Sequence, residues 1–167
     1  MSASGSKSLP TIGFLTICDD GDGGFCGGYL VLNAAGRPLE FHCTAPVKPN
    51  RAQEILYGPT LQPFLFGEQI GQTLVTRSKV GPLLVVTDSE PALALRPLID
   101  TPVACLLGDA QRDASISLAK QPVIVARSHP RDAESIRTLW GQHFEGFDLS
   151  EPFDRIREAL DESRKAA

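Results

Sequence analysis

The chain has 167 residues, 42% of them hydrophobic and 22% charged, with a net charge of −4 and a pI near 5.3. That balance describes one soluble globular domain and counts against a nonspecific DNA binder, because no global field draws in nucleic acid and only a local patch can do so. No apolar stretch reaches the roughly 20 residues of a bilayer span, and the first residues lack the apolar core of a signal peptide. A cytoplasmic protein with no membrane contact is expected.

Residues 1–9 are small and polar and read as a disordered tail, leaving 10–165 as a single globular domain. Residues 11 to 18 read as a strand, followed by a glycine-rich connection over 21–28 and a second strand that begins at Tyr29. Ala34 to Pro38 forms a hairpin loop. From Leu39 the chain alternates, with Leu39, Phe41 and Cys43 on one face and Glu40, His42 and Thr44 on the other, which completes a three-stranded antiparallel meander. Asn50 and Gln53 have the spacing of a capping box for a short helix. Gly58-Pro59 interrupts it, and a second helix is expected from Pro63 through Leu74.

Leu83 to Val86 is a continuous apolar run of the kind found in strands covered on both faces. Pro91 to Leu98 reads as a short helical turn, Val103 to Leu107 as a strand, 108–121 as a loop with a turn of helix, and Val123 to Ala126 as the last strand. A helix follows with Pro130 in its first turn and Asp132 complementing its dipole. Ser150 is placed to cap the final helix, whose last residues from Arg164 should fray. The pattern predicts an α/β (α+β) domain with a mixed sheet of five or six strands opening with the meander, helices packed on it and C-terminal helices.

Two acidic turns stand out. Asp19-Asp20-Gly21-Asp22-Gly23-Gly24 and Thr87-Asp88-Ser89 each follow an apolar run, so neighbouring parallel strands would open both at the same carboxyl edge, where open α/β sheets place their ligands. Asp20 and Asp88 are therefore a candidate divalent-metal pair. An EF-hand is excluded because Gly24, Phe25 and Val31 occupy positions that need ligands or glycine. The glycine segment also lacks the spacing of a phosphate-binding Walker loop, and a flexible hairpin connection describes it better.

The run Cys18 to Gly24, the hairpin Gly27 to Phe41, the helix opening Asn50-Arg51-Ala52-Gln53-Glu54 and Val86-Thr87-Asp88-Ser89 together resemble, in order, the landmarks of ribonuclease H-like nucleases. The resemblance covers residues 11 to 107 and implies a metal-dependent phosphodiesterase acting on nucleic acid. It assigns Asp20, with Asp19 equally placeable, and Asp88 as metal-binding and catalytic acids, with Glu54 as the helix acid one position late, since Gln53 stands at the family's place. A one-residue step turns a helical side chain by about 100°. Asp132 or Glu134 would supply the last acid. Such a centre needs carboxylates converging on one or two Mg²⁺ or Mn²⁺ ions roughly 3.5–4 Å apart.

The competing expectation is a noncatalytic interaction or regulatory module that binds a protein partner or forms a homodimer. Phe64, Leu65 and Phe66 cannot all face one core on a regular helix and are its expected surface. Cys18, Cys43 and Cys105 read as small core residues and Cys26 as the reachable thiol, all four reduced. His42 is not placed to activate Cys43, because adjacent strand residues face opposite ways. Ser128 to Asp132 opens a helix and reads as a plain helix start with Ser128 or His129 as its cap.

Overall fold

The structure is a computed structural model that describes residues 9–108 and 114–166. The expected tail, apart from Leu9, and residues 109–113 of the expected loop lie outside the described residues. Strands β1 (Thr11–Asp19), β2 (Phe25–Asn33) and β3 (Pro38–Cys43) form the antiparallel meander. Helix α1 (Arg51–Tyr57), a π-helical stretch (Pro63–Gly71) and α2 (Gln72–Arg77) lead to β4 (Leu84–Thr87). A 3₁₀ segment (Glu90–Leu98) precedes β5 (Val103–Leu106), then come β6 (Ile116–Leu118), β7 (Gln121–Val125), α3 (Asp132–Leu139) and α4 (Glu151–Ala166).

These strands make one seven-stranded mixed sheet in the order β3-β2-β1-β4-β5-β7-β6, larger than the five or six expected. The additional strand is β6, which pairs Ile116 with Val123 and Leu118 with Gln121 across a tight turn. Ala119 and Lys120 adopt positive φ there without glycine, so the usual turn signal was missing. β4 is parallel to both β1 and β5.

Strand alternation explains the two cores. Ile12, Phe14, Leu84 and Val86 face Ile136, Phe153 and Ile156 of the C-terminal helices. Leu15, Val85 and Val103 face Leu65, Ile70, Leu74 and Leu95 on the opposite side. A sheet covered on both faces requires continuous apolar strands, which is why β4 shows no polar alternation. Phe14 meets Phe153 edge-on, with ring centroids 5.4 Å apart, and this contact seats α4 on β1.

The glycine segment is not a flexible connection throughout. β2 begins at Phe25, and a Cβ on Gly27 would stand 2.2 Å from Ile70 Cγ2, one on Gly28 2.4 Å from Ile156 Cγ2. The two glycines let helices on both faces press against the same strand.

The Asn50–Gln53 capping box forms as expected, with Asn50 Oδ1 accepting from Gln53 N at 2.8 Å and Gln53 Oε1 from Asn50 N at 3.0 Å. The cap of α4 is different. Asp148 Oδ1 accepts from the amides of Ser150 and Glu151, while Ser150 Oγ accepts from Gln121 Nε2 on β7 at 3.0 Å. The carboxylate outcompetes the hydroxyl for the free amides because a charged acceptor makes the stronger bond. α4 continues through Ala166. α3 starts at Asp132 with no side-chain cap, and the hydroxyl of Ser128 bonds the His129 ring instead.

Candidate functional site

β1 and β4 run side by side with Leu15 opposite Thr87, so the next residues, Thr16 and Asp88, adjoin at the carboxyl edge and face α4. The Thr16 hydroxyl donates to Asp88 Oδ1 at 2.7 Å. Arg157, on α4, donates a guanidinium N–H to Asp88 Oδ2 and reaches Asp154 at 3.3 Å with its other nitrogen. Both oxygens of Asp88 are thus engaged, one by a neutral hydroxyl and one by a cation. Cys18 lies close to this pair, and burial pushes its thiol up from the ordinary range.

The first acidic turn is organised around its own backbone. Asp20 Oδ1 accepts from the amides of Asp22 at 2.8 Å and Gly24 at 2.9 Å, and Asp19 Oδ1 from that of Gly21 at 2.7 Å. Those two amide bonds hold the Asp20 carboxyl below its usual range, assisted by the nearby positive charge of Lys48 and Arg164. Gly21 and Gly23 have φ of 88° and 82°, the left-handed conformation this turn needs. A Cβ at Gly24 would meet Asp20 Oδ2 at 2.7 Å.

The remaining predicted acids lie apart. Glu54 is exposed on α1, a helix with no buried residue. Asp132, expected as a dipole partner or, with Glu134 as the alternative, as the last acid of the centre, is buried against Arg96, Nε to Oδ2 2.6 Å, and Glu134 pairs with Arg137 on its own helix. Among the described residues, no three His, Cys, Asp or Glu side chains gather closely enough to hold one metal ion. The donor set at the sheet edge does not fit a divalent cation as arranged, since an ion would have to displace Arg157 from Asp88 and meets Thr16 where a second carboxylate would stand.

Two residues of this edge were missed in the sequence. Thr16 was legible from the alternation of β1, which places it on the face of Phe14 and Cys18. Arg157 carries no local signal that sets it apart from the other charged residues of α4, and only the docking of that helix brings it to Asp88.

The thiols also rearrange. Cys26, expected to be reachable, is 5% exposed because it belongs to β2, whereas Cys18 and Cys43 are half-buried. Leu65 and Phe66, from the expected docking triplet, are buried, and Phe64 stacks on Tyr57 with centroids 4.4 Å apart. Both buried residues lie on the π-helical stretch, with Ile70 on the same buried side. The exposed large apolar residues of this region are instead Ile55 and Leu56, at 64% and 82%. An open cavity of about 780 Å³ is lined by Pro63, Glu90, Pro91, Leu107, Ile124 and Arg127, so its wall begins two residues after Asp88.

The site and fold define an α/β protein with a mixed sheet whose carboxyl edge carries an arginine-neutralised aspartate. No known protein family and no curated protein matches the sequence. Solved structures with a related arrangement include human ENDOV, with a TM-score of 0.41 and 17% identity over 60% of this chain and 46% of that one. The chain thus spans less than half of that protein. A likeness at this level leaves the function to be argued from the site itself. Among the described residues, no helix is long and apolar enough to cross a membrane.

Proposed function

We propose that this chain is a noncatalytic interaction module that binds a protein partner through α1. The observation that carries the reading is the pair Ile55 and Leu56, adjacent, 64% and 82% exposed, on a helix that buries none of its own residues. Covering two such side chains is worth about 3–5 kcal/mol, enough to anchor an interface. Asp88, tied to Thr16 and Arg157, supports the same reading by being held in an ion pair at the sheet edge. The test is a photo-crosslinking residue at position 56 in cells expressing the chain, with exposed Glu134 as the control position. Adducts at 56, to another protein or to a second copy, that are absent at 134 are expected. No adduct at 56 overturns the proposal.

A second reading, a divalent-metal-dependent phosphodiesterase or nuclease, is favoured by Asp20 and Asp88 leaving the same sheet edge beside Lys48, Arg157 and Arg164. It requires Arg157 to leave Asp88. Calorimetric titration of Mn²⁺ and Mg²⁺ into the wild type, Arg157→Gln and Asp88→Asn tests it, because a specific ligand raises apparent stability by mass action. Saturable binding that Arg157→Gln strengthens and Asp88→Asn abolishes supports a metal site and justifies cleavage assays on nucleic acid. No response in the wild type or Arg157→Gln ends this reading.

A further inference from the structure

In the register of β1 on β2, Cys18 stands directly opposite Cys26. Asp20 N bonds Gly24 O at 3.0 Å and Ala34 N bonds Pro10 O at 2.9 Å, so even-numbered residues of β1 occupy the hydrogen-bonded pair positions. Facing residues at such positions have Cα atoms about 5.5 Å apart and project to the same face. A disulfide spans Cα separations of about 4.4–6.8 Å.

We infer that Cys18 and Cys26 form a reversible disulfide that staples the β1–β2 hairpin directly below the acidic turn. The other cysteines are not placed to compete. Cys43 lies opposite Gly28, and Cys105 is on β5, separated from β1 by β4. Cys18 is half-buried and Cys26 is 5% exposed, so the two have distinct parts: Cys18 meets the oxidant and Cys26 resolves. Because this is a hydrogen-bonded position, the facing Cβ atoms stand at the wide end of the usual range of about 4.5–5.5 Å, whereas a disulfide prefers about 3.5–4.5 Å, so closure has to draw the strands together by about 1 Å and leaves the bond strained and easily reduced.

The oxidant is a low-molecular-weight disulfide such as oxidised glutathione. Cys18 loses its proton to water and its sulfur attacks the glutathione disulfide, forming a mixed disulfide and releasing one glutathione thiolate. Cys26, deprotonated in turn, attacks Cys18 Sγ, which forms the Cys18–Cys26 bond and releases the second glutathione. The protein gives up two protons and two electrons, and the oxidant takes up both.

The test incubates the folded, reduced full-length chain with oxidised glutathione, blocks remaining thiols by alkylation and digests with proteases cutting before Asp and after Glu. Asp19 to Asp22 and Glu40 then separate Cys18, Cys26 and Cys43 onto different peptides. The expected product is the Cys18 peptide joined to the Cys26 peptide, with a raised melting midpoint that dithiothreitol reverses. Cys26→Ser should stop at the Cys18–glutathione adduct, and Cys43→Ser should leave the crosslink unchanged. A bond to Cys43, a persistent adduct in the wild type, or four free thiols after treatment each overturn the inference.

Discussion

Replacing Glu40 with Gln removes the charge that ties the edge strand to the chain entering β4. The Glu40 carboxylate accepts from the amide of Val80 at 2.7 Å, from that of Lys79 at 3.0 and 3.2 Å, from the Ser78 hydroxyl at 3.3 Å and from His42 Nε2 at 2.7 Å. The His42 hydrogen bond, with the backbone amides behind it, depresses the carboxyl from 4.5 to about 2. In full that depression corresponds to about 3 kcal/mol. The side chain keeps 16% exposure, and solvent screening reduces the expected contribution to about 1–2 kcal/mol. Because the folded-state carboxyl is the more acidic, its stabilisation is complete above 4.5 and drains away as pH falls toward about 2. Urea unfolding of wild type and Glu40→Gln, near neutral pH and again near pH 3, measures this directly. The gap between the two proteins should be about 1–2 kcal/mol at neutral pH and narrow in acid. A gap that does not change with pH, or no gap at neutral pH, would refute the electrostatic account of this clamp.

Asp132→Ala strands the Arg96 guanidinium, whose side chain is 13% exposed, and should cost about 3 kcal/mol in chemical denaturation; a loss below about 1 kcal/mol would show that water compensates the charge. The Tyr29 hydroxyl is fully buried with no hydrogen-bond partner among the described residues, and burial pushes its pKa far up. Tyr29→Phe should therefore leave stability unchanged or raise it by about 1 kcal/mol, and clear destabilisation would reveal a hidden partner. Gly28→Val drives a side chain into Ile156 and should lower stability by about 1–3 kcal/mol, read as a reduced melting midpoint; an unchanged midpoint would mean that α4 yields freely.

Much of the architecture was legible because it depends on short-range periodicity. The apolar run of β4, the capping box at Asn50 and the order of strands and helices are local, and the structure contains them, whereas on β3 the expected sides are exchanged, with Leu39 and Phe41 exposed and Glu40 and His42 half-buried. The turn chemistry of Asp19 to Gly24 was equally local, since glycines at positive φ and Asx bonds act within five residues. β6 escaped because its turn uses Ala119 and Lys120, which carry no turn signal.

The character of the sheet edge was decided by tertiary structure. Asp88 reads identically in sequence whether it faces a metal, water or an arginine. The choice was made when Phe153, Ile156 and Leu160 buried the apolar stripe of α4 against β1 and β2, which carried Arg157, 69 residues from Asp88 in the chain, to its carboxylate. Glu40 found its amide partners 39 and 40 residues away by the same route, and Asp132 found Arg96 across 36. The sequence by itself determined which segments become strands, helices and turns, because hydrophobic period and backbone preference are encoded in neighbouring residues. Only the tertiary structure determined which charges meet, because burial of apolar faces sets the docking of the elements and the polar side chains are carried along with them.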